Sequence, residues 1–92
     1  MPRPKLRRRI RGKPNATYFK PQGVPIRDLE ELTLEHEEFE ALRLIEVQSL
    51  SQTEAAQKMN ISQSTLSRIL TSARKKVARG IVEGKAMRIE QS

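Results

Sequence analysis

Gln63, Ser64, Ser67 and Arg68 fall within one short stretch and carry the hydrogen-bonding groups that read the edges of nucleic-acid bases. A glutamine amide can make two hydrogen bonds to adenine, and an arginine guanidinium two to guanine. Each such pairing discriminates by about 1–3 kcal/mol. Short serines let the backbone approach and donate to bases or phosphates. Nearby, Ser62, Thr65, Thr71, Arg74 and Lys75 are residue types that hold phosphate oxygens, with Lys76 and Arg79 further along. This is the chemistry of binding. For bond-making the inventory is poor: His36 is the sole histidine, it sits among glutamates, and there is no cysteine. Neither a disulfide framework nor a Cys–His metal site is expected. Ser/His/Asp catalysis would need His36 beside Asp28 in an enclosed pocket, and no glycine-rich phosphate loop is present. An enzyme, a cofactor, a bound metal and a small-molecule substrate are therefore not expected, and His36 reads as a surface residue.

The base-reading residues need a rigid mount, and the segment Gln52–Leu70, QTEAAQKMNISQSTLSRIL, has the pattern of one. Two helices joined by a short turn pack closely only where certain positions are small, turn-forming or apolar. Ala56 is the small residue at the crossing, Asn60 suits the positive φ of the turn, and Leu66 plugs the gap between the helices. Ala55, Met59, Ile61 and Ile69 fill the other inward positions. Ser51 and Glu54 have capping-box spacing at the first helix. Ser62 caps the second, whose apolar stripe is Leu66, Ile69, Leu70, Ala73 and Val77. Gly80 weakens that helix and Gly84 ends it. Upstream, Thr33 is the expected N-cap of a helix loaded with Glu35, Glu37 and Glu38. Its apolar face would be Phe39, Leu42 and Ile45, and Ser49–Ser51 would end it.

Charge is distributed in blocks. Residues 1–27 carry nine Lys and Arg and no acid, residues 28–54 nine acids and one base, and residues 55–92 eight bases and two acids. The chain has 92 residues and a net charge of +7, enough for one domain with an anionic partner. Three segments are expected: a basic, Pro-rich, largely irregular arm (1–27), a helix-turn-helix domain (28–84, helices about 34–48, 52–59 and 63–83) and a short strand-like tail (85–92). The fold class is mainly α. In the arm, Arg7, Arg8, Arg9 and Arg11 would track phosphates or enter the minor groove. Tyr18, Phe19, Met87 and Ile89 are apolar or aromatic residues outside the helical core, suited to a small sheet or a dimer seam. The acidic helix is expected to face away from DNA, as a solvated face or as a docking surface for the arm of a second copy. No apolar run reaches the ~20 residues of a membrane span and no secretory signal follows the basic start, so a cytoplasmic protein without a membrane partner is expected.

Two resemblances sharpen this. Phe39–Lys76 resembles the fourth region of bacterial sigma factors, through Glu40-Ala41-Leu42-Arg43-Leu44, Ser51–Ala56 and Ala73–Lys76. The likeness implies base-reading by Gln63, Ser64, Ser67 and Arg68. The other sigma regions are absent, so recruitment of polymerase as a true sigma factor is not implied. Across nearly the whole chain, MPRPK, YFKPQGVPIRDLEE, the helix-turn-helix and VEGKAMRIE together resemble uncharacterised protein family two-five-one (domain of unknown function one-three-four). These are short bacterial and archaeal proteins described as predicted DNA-binding. Many members carry cysteines in the arm where this chain has residues such as Arg7 and Arg11, so no metal or redox role transfers. The partner this implies is double-stranded DNA, for a sequence-specific transcriptional regulator, with a homodimer as the second expected association. The competing readings are a protein-interaction module of the transcription machinery and a non-specific nucleic-acid binder, including an RNA binder.

Overall fold

The computed structural model describes residue 12 and residues 14–90. In chain order these form β1 (Tyr18–Phe19), a single 3-10 turn (Ile26–Asp28), β2 (Glu31–Leu34), α1 (His36–Leu42), α2 (Gln52–Met59), α3 (Gln63–Glu83) and β3 (Ala86–Ile89). Helix predominates, and a three-stranded sheet joins it. No described helix is long and apolar enough to cross a membrane.

The sheet has the order β1-β3-β2. β3 runs antiparallel to β1, with Tyr18 opposite Arg88, and parallel to β2, with Leu32 opposite Met87 and Leu34 opposite Ile89. Alternation along the strands gives it two unlike faces. Phe19, Leu34, Met87 and Ile89 line one apolar surface with Val77 of α3, and Gly80 allows the close approach: a Cβ there would lie 3.0 Å from Met87 Sδ. The opposite face carries a polar staple. Tyr18 donates to Glu31 at 2.6 Å, Arg88 donates to both Glu31 oxygens, and the Arg88 guanidinium lies 5.1 Å from the Tyr18 ring centre. Arg88 first, and then the Tyr18 hydroxyl, hold the Glu31 carboxyl below its ordinary range.

The first helix departs from expectation at its start. Thr33 lies inside β2 and is not a cap; the N-cap is Glu35, paired with Glu38 in a capping box. Pairing of residues 31–34 with β3 extends the backbone that a helix would otherwise have claimed. After Leu42 the turn widens to a π-helix over Arg43–Val47. Ser49, at φ 61°, then reverses the chain, and Leu50 N–H bonds the Leu44 carbonyl at 3.0 Å.

The core also differs from the simple stripe. Ala41 and Leu44 are the fully buried apolar residues of this segment, packed with Ala55, Met59, Leu66 and Leu70. Phe39 and Leu42 are only partly buried because they serve a second cluster with Leu34, Ala73 and Ile89. The segment lies between helices on one side and sheet on the other, so two apolar stripes are needed.

Candidate functional site

The mount for the base-type residues is built from caps. Ser51 Oγ accepts from Glu54 N–H at 3.1 Å while Glu54 accepts from Ser51 N–H at 3.1 Å, which starts α2. It ends at Asn60, left-handed at φ 59° and ψ 45°. Ile61 N–H bonds the Ala56 carbonyl and Asn60 N–H that of Gln57, a Schellman closure. Ser62 then starts α3 by accepting from Thr65 N–H at 3.1 Å. Ala56 and Leu66 are buried where the two helices cross, with Met59 and Ile69 beside them. Two helices are thus held by one three-residue turn, and every side chain facing inward is apolar.

The outward face of α3 carries Gln63, Ser64, Ser67, Arg68, Thr71 and Lys75, all exposed. Among the described residues, the side chains of Gln63, Ser67, Arg68, Thr71 and Lys75 make no hydrogen bond or ion pair. Ser64 Oγ lies 3.2 Å from Ser62 Oγ. Ser62 and Thr65 also bond each other through their hydroxyls at 2.8 Å, so both belong to the cap. The first turn of α3 contains no acid, which leaves the positive end of its dipole uncompensated there.

The remaining cations of α3 are engaged within the chain. Arg74 donates to Glu46 at 2.6 Å, and Arg79 pairs with Glu83 one turn on. Lys76, which the charge run suggested as a phosphate neutraliser, instead turns inward. Its ammonium donates to Glu38 Oε1 at 2.8 Å and to the Thr33 carbonyl at 2.7 Å. Arg7, Arg8, Arg9 and Arg11 lie outside the described residues.

The acidic helix is not a uniformly solvated face. Glu38 and Glu40 are buried. Burial pushes the Glu38 carboxyl up, but the Lys76 ammonium, the Ser72 hydroxyl and the Glu35 N–H together outweigh it and hold the carboxyl below its ordinary range. Glu40 accepts from Arg43 through Nε at 2.9 Å and Nη2 at 2.8 Å, and that contact, against burial, raises the guanidinium further. Glu40 also accepts the Gly12 N–H at 3.0 Å. A Cβ at Gly12 would collide with the end of the Arg43 side chain, so a larger residue there would require Arg43 and Glu40 to shift. Sequence reasoning missed these two carboxylates. The Glu35–Glu38 spacing was the available signal for the first; Glu40 had none. His36 is half-buried, not a surface residue. Its N–H donates to Glu90 at 3.2 Å, and its Nε2 is shielded from solvent without a partner among the described residues.

Comparison with known proteins identifies the family. The family model described as protein of unknown function DUF134 matches residues 1–92. A UPF0251 protein of Halothermothrix orenii is 49% identical over 90 residues, covering 98% of this chain and 67% of that protein. UPF0251 protein TTE1845 of Caldanaerobacter subterraneus subsp. tengcongensis is 51% identical, with 98% and 76% covered. UPF0251 protein DET0218 of Dehalococcoides mccartyi is 53% identical, with 98% and 77% covered. These relatives are longer than the chain. No solved structure matches it. With the family model spanning all 92 residues and relatives near half identity across 98% of the chain, the chain belongs to the DUF134, or UPF0251, family.

Proposed function

We propose that the chain binds double-stranded DNA sequence-specifically and acts as a transcriptional regulator, with α2 and α3 as a helix-turn-helix and α3 lying in the major groove. One observation carries the reading: the contrast along α3. Arg74, Lys76 and Arg79 are each held by a carboxylate of the chain. Gln63, Ser67, Arg68 and Lys75 are exposed and have no side-chain partner among the described residues. Recognition helices contact bases from their N-terminal turns and phosphates from positions further along, and the unpartnered groups fall in that order. The acid-free first turn favours phosphates, as does the net charge of +7. Likeness to the fourth region of sigma factors supports the same assignment. Burial of Glu38 and Glu40 weighs against the acidic helix as a docking surface.

Selection of bound duplexes from a random pool, followed by titration at two salt concentrations, tests the proposal. A recurring motif is expected, with affinity falling as salt rises by close to one logarithmic unit of slope per phosphate contacted. Steep salt dependence without a motif would replace this reading with non-specific binding. Better competition by single-stranded RNA would replace it with an RNA partner.

A further inference from the structure

We infer that the chain pairs with a second copy of itself through the apolar face formed by Phe19, Val47, Val77, Ile81 and Met87. Val77 and Ile81 are one turn apart on α3 and share a side of it. Val77 lines one groove and Ile81 another, and both grooves are also lined by Phe19 and Met87. The one toward α1 holds about 320 Å³ and is floored by Leu34, Leu42 and Ile89. The other opens past Gly80 and Gly84, where there is no side chain to close it. Phe19 is 49%, Val47 77% and Ile81 74% exposed. The two grooves share Phe19 and Met87, so raised side chains and hollows adjoin on one surface.

Charge argues for a second copy as the occupant. Copies of a +7 chain repel each other, and across a two-fold axis any charged patch meets its own sign. This face limits that among the described residues. Arg43 at its edge is bonded to Glu40 through two nitrogens, and Lys85 is ion-paired with Glu30. Among the described residues that line the face, Lys20 is the one cation without a carboxylate partner; it keeps its charge, held on the carbonyls of Pro21 and Val24.

Area is consistent with the same occupant. Large aliphatic and aromatic side chains each contribute on the order of 100 Å² when covered. Phe19, Val47 and Ile81, the exposed three, supply roughly 300 Å², and with the partly covered Val77 and Met87 they form the apolar centre of an interface whose standard size takes about 800 Å² from each partner. A patch of that extent matches the largest apolar patch of a typical monomer, which is often a functional surface. The face also lies on the C-terminal half of α3. At about 1.5 Å per residue it is roughly 15–25 Å from the Gln63–Arg68 end, so an antiparallel, end-to-end arrangement of the two α3 helices would hold those ends roughly 30–50 Å apart. That range includes the ~34 Å repeat of paired DNA half-sites. The spacing argument rests on the DNA-binding reading; the pairing does not.

Sedimentation equilibrium of the full chain over a micromolar concentration series tests the pairing, with Val47→Glu and Ile81→Glu as variants. Both positions are mostly exposed, so helicity by circular dichroism should be unchanged. A dimer is expected, with the dissociation constant raised by about tenfold or more in each variant. If either glutamate disturbs the fold, Val47→Ala with Ile81→Ala should still weaken the dimer. A wild-type chain that stays monomeric overturns the inference, as does a dimer indifferent to all these changes. A dimer that selects no DNA motif would remove the DNA reading and leave this one standing. A monomer that selects a single unrepeated motif would do the reverse.

Discussion

Lys76 of α3 reaches across to Glu38 of α1, its Nζ 2.8 Å from Oε1 and 2.7 Å from the Thr33 carbonyl at the end of β2. One ammonium thus ties a long helix, a short helix and a strand together. Its neighbour Lys75 points the other way and has no side-chain partner among the described residues. Adjacent lysines should therefore behave oppositely. Lys76→Ala leaves a buried carboxylate without its counter-charge and should lower unfolding free energy by about 2–4 kcal/mol; Lys76 remains partly exposed, so the loss should fall short of that for a fully buried pair. Lys75→Ala should change stability by less than about 0.5 kcal/mol while reducing the salt slope of DNA binding by about one unit. Urea melts and salt titrations of the two variants decide this; equal stability losses would contradict the geometry.

Acid should loosen the same junction. The folded-state Glu38 carboxyl titrates below its ordinary 4.5. Folding therefore favours the ionised form, and the stability this contributes is fully present above the unfolded value. It declines as pH falls from about 4.5 and is lost once pH has passed through the lower folded value. Urea midpoints measured from neutral pH downward should fall across that window. In Glu38→Gln the fall should be shallower, because that proton is no longer taken up. An identical acid profile in the variant would assign the effect to other carboxylates, such as Glu30 and Glu31, which are also lowered by their basic partners.

Arg68→Ala should lower affinity for the selected duplex by about 1–3 kcal/mol and leave the melting curve in place. Loss on random duplexes should be much smaller. Equal losses on both would move Arg68 from base reading to phosphate contact.

The turn makes a backbone prediction. Asn60 sits at φ 59°, where a β-branched side chain crowds the following carbonyl. Asn60→Val should destabilise by about 1–2 kcal/mol, whereas Asn60→Gly should stay within a few tenths. Leu66 is fully buried at the helix crossing, and Leu66→Ala should lose about 2–5 kcal/mol. Thermal or urea unfolding reads all three. A well-tolerated valine at 60 would mean the turn is not left-handed.

What was legible in the sequence was local. Ser51 with Glu54, Asn60, Ser62 and Gly84 each act within a few residues, and each has the capping or turn role its type implies. What escaped depends on partners far along the chain. Thr33 looks like a cap until β3, more than fifty residues later, pairs with Glu31–Leu34. Glu38 looks like a solvated charge until Lys76 and Ser72 arrive from α3. Leu44 replaces Ile45 as the buried residue because the turn after Leu42 widens, which no spacing of apolar residues announces. The outward face of α3 was legible because an exposed polar row is the complement of an apolar stripe. Which of its cations remain unpartnered was not, since Glu46 and Glu38 lie nearly thirty and forty residues away.

The middle strand of the sheet is also the last described element of the chain. Among the described residues, neither edge strand has another strand to pair with until residues 86–89 have been made. During synthesis α2 and α3 can close on each other first, through contacts a few residues apart, while β1 and β2 wait with unpaired edges. Loop-closure entropy delays such distant pairings in refolding as well. Residues 86–89 therefore act as a clasp: the helical half can assemble early, but β1 and β2 become one sheet only when β3 slides between them.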